Sequence, residues 1–111
     1  MADDKYIDVE SALRRVGGNE GLFKRLLGKF ETSIDMDEFN KAVSEQNNNL
    51  LGEIVHAAKG IAGNLSLTCF FNASSTLMDQ LRDGGSPQQA DIEEFRTSYD
   101  ETLVAVKEYL G

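Results

Sequence analysis

The chain has 111 residues, 41% of them hydrophobic, and a formal net charge of −8 at pH 7 from 11 basic and 19 acidic side chains. This length is sufficient for one core, so we expect a single domain over residues 1–111. The acidic balance argues against nucleic acid as a partner, because phosphate backbones are bound by clustered Lys and Arg. No apolar run is as long as a membrane span, and no signal-like stretch precedes Asp3 and Asp4, so we expect no membrane contact. The single cysteine cannot form an internal disulfide, which is typical of a reducing compartment, and we therefore expect a cytoplasmic protein.

Two helices are predicted in the first half of the chain. Asp8 can cap a short first helix from Val9 to Val16. Asn19 can cap a second helix, whose apolar residues recur at steps of three and four. This pattern predicts one long helix over about residues 20–45, and Ser33 to Asp37 is the place where it could bend or break.

Three further helices are predicted in the second half. The run Gln46–Asn49 predicts a turn, and any of its asparagines could cap the following helix, from about Leu50 to Leu65. Another helix follows from about Thr68 to Arg82. Ser86 as the cap and Pro87 as the first helical residue then begin the last helix. Four amphipathic helices joined by short turns predict an all-α fold, an antiparallel up-and-down four-helix bundle with a short extra N-terminal helix at one end.

The third of these long helices carries the only histidine of the chain, His56. At about 100° per residue, one apolar stripe lies on the side opposite His56 and is expected to be buried. That stripe consists of Leu51, Ile54, Ala58, Ile61 and Leu65. The face centred on His56 carries Asn49, Gly52, Glu53, Lys59, Gly60 and Gly63. The wheel therefore predicts that His56 lies exposed at the centre of the solvent face and is not a core histidine.

Three glycines share the His56 face, although each one costs a helix about 1 kcal/mol relative to alanine. Two explanations are open. The glycines can leave the imidazole accessible to the surface of another protein, or they can allow a neighbouring helix to pack closely. The first explanation is favoured because the apolar stripe already provides a packing face on the opposite side.

Lys59 follows His56 by one turn on the same face. An exposed imidazole is largely neutral at pH 7 and offers a nucleophilic ring nitrogen. If that nitrogen accepts a phosphoryl group, the ammonium group of Lys59 would offset the charge on the phosphoryl oxygens. The alternative is that Lys59 is an ordinary solvated surface charge.

The segment from His56 to Leu65, HAAKGIAGNL, resembles the signature of histidine-containing phosphotransfer (HPt) domains, in which lysine follows the histidine at +3 and glycine at +4. The residues Ile7–Glu10 and Arg14–Asn19 resemble the entry segment of such domains, and the order of helices agrees along essentially the whole chain. The resemblance implies a phosphorelay intermediate of two-component systems. Such an intermediate accepts a phosphoryl group on its histidine, here His56, from the aspartate of one receiver domain and passes it to the aspartate of another.

The same resemblance implies roles for further residues and for the partners. Lys59 would be the electrostatic partner of the phosphorylated histidine. Residues expected to dock the partner are Asn49, Gly52, Glu53, Gly60, Gly63 and Asn64. The partners would be receiver domains of response regulators or of a hybrid sensor kinase, with Mg²⁺ in the receiver, whereas this chain is expected to be a monomer without cofactor or metal.

The sequence departs from the family pattern in two places. Ser66 stands where many members carry glycine. The helix after the histidine helix offers no obvious polar residue that could orient the imidazole, and Gln80 and Asn72 are the candidates.

Competing functions have less support from the residues. A histidine-kinase dimerisation helix would place an acidic residue directly after the histidine, where this chain has Ala57, and the chain lacks a phosphate-binding loop for ATP. We therefore expect a covalent carrier without autokinase activity. One histidine and one cysteine cannot form a zinc site, and Cys69 lies in an apolar patch typical of a core residue. The remaining alternative is a helical interaction module that binds a receiver or kinase partner without being phosphorylated.

Overall fold

A computed structural model describes residues 5–111, and residues 1–4, with the acidic start at Asp3 and Asp4, lie outside that range. All regular secondary structure in residues 5–111 is helical. The helices are α1 (Val9–Arg15), α2 (Glu20–Leu27), α3 (Phe30–Ser33), α4 (Met36–Ser44), α5 (Asn48–Leu65), α6 (Thr68–Leu81) and α7 (Gln89–Leu110), with a 3₁₀ turn at Arg82–Gly84. The all-α class is thus confirmed for this range, and the arrangement is compatible with a helical bundle. None of the helices in residues 5–111 has the length and apolar character needed to cross a bilayer.

The first helix begins where the sequence predicts. The Asp8 carboxylate accepts a hydrogen bond from the Ser11 backbone N–H at 3.1 Å, as an N-cap does. The helix ends one residue earlier than predicted, with Val16 as its C-cap. Gly17 and Gly18 follow with φ of 65° and 83°, a region that glycine enters at little cost, and they turn the chain towards α2.

The continuous helix predicted over residues 20–45 is wrong, because the structure has the three helices α2, α3 and α4 there. Ile34 is extended, with φ −117° and ψ 121°, and it separates α3 from α4. Asp35 is extended as well, and its carboxylate accepts from the backbone N–H of Glu38 at 3.0 Å. The segment predicted as a possible bend is therefore a full helix end followed by a new N-cap, which satisfies backbone donors that would otherwise lack partners.

The start of the last helix also differs from the prediction. The N-cap is Gln88, and Ser86 has no capping role. A side chain of α6 contributes instead: Gln80 accepts a hydrogen bond from the Gln88 backbone N–H at 2.8 Å and donates one to the Asp91 carboxylate. The helix start is thus held by a tertiary contact, which a local capping motif does not reveal.

The core is rich in aromatic side chains. The Phe70 ring of α6 is fully buried and lies 5.7 Å from the Phe30 ring and 4.9 Å from the Phe95 ring, measured between centroids. The rings of Phe39 and Phe95 are stacked at 4.5 Å. These contacts join α3, α4, α6 and α7 around one core, and aromatic pairs in edge-on and stacked arrangements add to the stabilisation from burial.

The turn between α5 and α6 is tied to the start of the chain. Ser66 caps α5 in a left-handed conformation with φ 57°, and its carbonyl accepts from the Asp8 backbone N–H at 2.9 Å. The Lys5 carbonyl accepts from the Cys69 backbone N–H at 3.1 Å, near the start of α6, and Ile7 is fully buried. Ser66 therefore serves as a helix C-cap, and the segment before α1 closes one end of the molecule.

Candidate functional site around His56

The helix α5 presents His56 to solvent and is itself well anchored. Its N-cap is Asn47, whose side-chain oxygen accepts from the Leu50 backbone N–H at 3.1 Å, so the helix begins two residues before the predicted start at Leu50. The side chains that α5 buries are Leu51, Val55, Ala58, Ala62 and Leu65.

The buried stripe of α5 is rotated from the predicted one. Ile54 and Ile61, which were predicted to be buried, are half-buried, whereas Val55 and Ala62 are fully buried. At 100° per residue this is a rotation of roughly 40° towards α6. On this side of α5, the Phe71 ring of α6 lies against Gly63 and Lys59.

His56 remains exposed after this rotation, as the sequence predicts. Among residues 5–111, no side chain forms a hydrogen bond or an ion pair with the imidazole. Both ring nitrogens are therefore available to a group that arrives from solvent.

The glycines of the His56 face divide into two kinds. A methyl group added at Gly52 or Gly60 would meet no atom within 4 Å. A methyl group at Gly63 would lie 3.4 Å from Cε1 of Phe71. Both explanations offered by the sequence therefore apply: the helix is open at Gly52 and Gly60, and Gly63 allows Phe71 to approach closely.

Lys59 lies between the open face and α6. Its side chain is half-buried, and its Nζ lies 5.8 Å from the centroid of the Phe71 ring, which is within the range of a cation–π contact. Within the described part of the chain, no carboxylate pairs with Lys59. Its charge is therefore not neutralised by a neighbouring acid and is available to an anion near His56.

Two concave surfaces flank the histidine helix. A cavity of about 270 Å³ lies where α1, α5 and α6 meet, and its lining includes Gly63, Phe71 and Arg15. A second concavity of about 270 Å³ lies between the α3–α4 connection and α5. We call the second one the α4–α5 groove; its lining is Ser33, Ile34, Asp35, Glu38, Leu50, Glu53, Ile54 and Ala57.

The polar residues considered on α6 have other positions. The Gln80 side chain is bonded to the start of α7, so it does not orient the imidazole. Asn72 is exposed and lines the cavity beside α1. Ser75, which the sequence analysis did not consider, has a buried hydroxyl with no hydrogen-bond partner in residues 5–111.

The expected docking residues all lie on α5. Asn49, Glu53, Gly60 and Asn64 are exposed, and Gly52 and Gly63 are half-buried. Sequence reasoning missed Phe71 as the neighbour of Lys59 and missed the acidic residues of α4. These residues lie close to the His56 face because of how the helices pack in the tertiary structure. Their spacing along the chain does not indicate this proximity.

In residues 5–111 the side chains that could bind a metal do not cluster, and the one thiol, expected in the core, lies only partly buried. No group of three or more His, Cys, Asp or Glu side chains in residues 5–111 is arranged to hold an ion. Cys69 is half-buried, and burial raises the pKa of its thiol, with the carboxylate of Glu94 adding to the effect. A raised pKa lowers the fraction of thiolate, the reactive form.

Comparison of the chain with protein-family models, with curated proteins and with solved structures finds no match.

Proposed function

We propose that this protein is a phosphorelay intermediate that carries a phosphoryl group on His56 between receiver-domain aspartates. The observation that supports the proposal most is an imidazole without intramolecular partners on an open helix face, with a cation one turn away. A histidine that served only stability would be expected to pack or to form hydrogen bonds with its neighbours.

The transfer needs few groups from this chain. The lone pair of one imidazole nitrogen attacks the phosphorus of an aspartyl phosphate, so that the P–N bond forms while the P–O bond to the aspartate breaks. The electron pair of the broken bond leaves with the aspartate carboxylate, and the proton of the imidazole stays on its other nitrogen. Because the acyl phosphate is already activated, the carrier requires neither ATP nor an acidic neighbour to remove a proton.

Lys59 would stabilise the negative charge on the oxygens of the phosphoryl group that the imidazole accepts. From its position over Phe71, a change of side-chain rotamer would bring the ammonium group to the phosphoryl oxygens. Its packing against the ring holds the lysine near the site at a low cost in conformational entropy. Positive charge close to the transferred group is a common source of stabilisation in phosphoryl transfer.

The open helix face suits a protein partner. A receiver must bring its aspartate to within bonding distance of the imidazole, and side chains larger than glycine at positions 52 and 60 would obstruct that approach. We assign the docking surface to these two glycines together with Asn49, Glu53, Gly63 and Asn64. The Mg²⁺ ion that receivers use would come with the partner.

The proposal includes a finer description of the fold, an antiparallel up-and-down four-helix bundle with α1 as an extra helix. In this description α2 to α4 together correspond to one helix of the bundle, followed by α5, α6 and α7. The ring contacts from α3 and α4 to α6 and α7 support it, because they place the broken segment alongside the long helices. A cytoplasmic, monomeric carrier follows from the same proposal.

The experiment is phosphoryl transfer from purified, phosphorylated receiver domains to the wild-type protein and to His56→Gln. We expect a phosphoryl adduct on the wild type, located by mass spectrometry on the peptide that contains His56, and none on the variant. Lys59→Gln should keep the fold and slow the transfer by a factor of about 100 or more, the size expected for the loss of one charge-stabilising group.

Two results would contradict the proposal. One is an adduct of equal yield on His56→Gln, and the other is no adduct from any receiver of the source organism. If His56→Gln binds a receiver with wild-type affinity and no phosphohistidine forms on the wild type, the protein is a non-phosphorylated interaction module instead.

A further inference from the structure

The α4–α5 groove begins at the flank of His56. Glu53 and Ala57 both line the groove. Glu53 lies three residues before His56 on α5, and Ala57 directly follows it. A protein that reaches the imidazole from solvent must therefore cover at least this end of the groove.

The floor of the groove is apolar. It consists of the buried Ile34, the half-buried Leu50 and Ile54, and the exposed methyl group of Ala57. Covering such a floor removes apolar surface from water, which favours association.

The rim of the groove is acidic. Asp35, Glu38 and Glu53 line it, and no basic side chain does. In residues 5–111, none of the three carboxylates forms an ion pair. Lys41 is exposed on α4 but does not line the groove. The rim therefore carries negative charge that no basic side chain compensates.

The other side of the His56 face has the opposite character. There Lys59 lies over Phe71, while the neighbouring cavity is lined by one basic and one acidic residue, Arg15 and Asp8. The surface around the histidine is thus polarised, with the positive charge of Lys59 towards α6 and negative charge towards α4. A partner with matching charges could lie across α5 in one direction only, since the reverse direction would bring like charges together.

We propose that the α4–α5 groove receives a segment of the partner protein that presents an apolar side chain next to an arginine or lysine. The apolar side chain covers the floor at Ile34 and Ile54, and the cation lies between the carboxylates of Glu38 and Glu53. This contact sets the direction in which the partner crosses α5. The inference deepens the proposed function and depends on it for the partner's identity as a receiver, but the groove can be tested without any phosphoryl transfer.

The first experiment uses two capped dipeptides as probes, acetyl-Leu-Arg-amide and acetyl-Leu-citrulline-amide, which have nearly the same shape and differ in charge. Amide resonances of the ¹⁵N-labelled protein are followed during titration. We expect the arginine peptide to shift residues 33–38 and 50–57, and the citrulline peptide to shift them less. The double variant Glu38→Gln/Glu53→Gln should weaken the binding of the arginine peptide by about threefold or more, as expected for two exposed ion pairs.

A matched variant controls for net charge. Glu94→Gln/Glu108→Gln removes the same number of charges from exposed positions on α7 that are outside the groove. At physiological salt, where distant charges are screened, this variant should bind the arginine peptide with the same affinity as the wild type, within experimental error.

Three outcomes of the peptide titrations would overturn the inference. They are shifts that both peptides produce equally, no shift in the groove at any soluble peptide concentration, and equal weakening by the two double variants. If the groove resonances shift with the concentration of the protein alone, the occupant is a second copy of this chain, and the inference is likewise wrong.

A second experiment separates this inference from the proposed function. For a receiver that transfers to His56, Glu38→Gln/Glu53→Gln should reduce the second-order rate constant of transfer by about threefold or more at low salt, and the α7 variant should not. A groove that binds the arginine peptide in a protein that no receiver phosphorylates would refute the phosphorelay and leave the groove's specificity established. A normal phosphorelay with no effect of the groove variants would refute the groove alone.

Discussion

The α2–α4 segment and the helix α5 both have apolar residues at helical spacing, yet only α5 is continuous. The segment Glu20–Ser44 is divided at Gly28–Lys29 and at Ile34–Asp35, whereas α5 runs for 18 residues from Asn48 to Leu65. The helix α5 contains three glycines and the broken segment contains two, Gly21 and Gly28, so glycine content alone does not explain why only α5 is continuous.

At the second break, the two regions differ in the hydrogen bonds that polar side chains form with the backbone. In the broken segment, the Ser33 hydroxyl donates to the Lys29 carbonyl at 2.6 Å, and Asp35 caps a new helix. These hydrogen bonds replace the backbone hydrogen bonds of a continuous helix, so a break there costs little free energy. The glycines of α5 offer no competing bond, and the buried side of the helix holds it in place. The break at Ile34–Asp35 is therefore explained by competing local hydrogen bonds, whereas the earlier break at Gly28–Lys29 coincides with a glycine that ends α2.

The largest effect is expected in the core that both regions share. Phe70→Ala should lower the free energy of unfolding by about 3–5 kcal/mol, because it leaves a cavity among the rings of Phe30, Phe95 and Tyr99. Chemical denaturation followed by circular dichroism measures this. Phe71→Ala, at the half-buried neighbour, is the control and should cost clearly less; equal losses would mean that Phe71 belongs to the same core.

The break before α4 can be tested at its cap. Asp35→Ala should lower the free energy of unfolding by about 1 kcal/mol, since it removes the acceptor for the Glu38 backbone N–H. Asp35→Ser removes the same charge and keeps a capping oxygen, so it should retain most of the stability. If the two variants lose equal stability, the charge of Asp35 contributes the stability, and its capping hydrogen bond does not.

The glycines of α5 provide a test in the opposite direction. Gly60→Ala should raise the free energy of unfolding by about 0.5–1 kcal/mol, because the added methyl group meets no atom and alanine favours the helix. Gly63→Ala should gain less, since the Phe71 ring must move. Under the proposed function, Gly60→Ala should also slow phosphoryl transfer, so that stability and activity change in opposite senses; unchanged transfer would show that the open face is not needed for docking.

The smallest effect concerns the thiol at the start of α6. Since burial raises the pKa of Cys69, less thiolate is present at neutral pH, and iodoacetamide should react more slowly with the folded protein than with the protein unfolded in urea. The rate for the folded protein should rise as the pH approaches the raised pKa. Equal rates in the two states at neutral pH would show that the thiol is neither shielded nor shifted.

The sequence predicted the helical elements well where the signal is local. The Asp8 cap, the Asn19 cap and the helix that carries His56 agree with the structure. The starts of α4 and α7 did not follow from the apolar pattern. The Asp35 cap competes with a helix that the apolar spacing favours, and the start of α7 depends on Gln80, eight residues before Gln88.

For the candidate site, the sequence alone determined the exposure of His56 and its place one turn before Lys59, because both follow from the 3.6-residue period of a single helix. The tertiary structure decided the rest. It rotated the buried face of α5 towards α6 and placed the acidic residues of α4 beside the histidine helix. It also placed Phe71 against Gly63, whereas Gly52 and Gly60 have open space around them. Such arrangements depend on contacts between residues far apart in the chain, and periodicity within one helix contains no information about them.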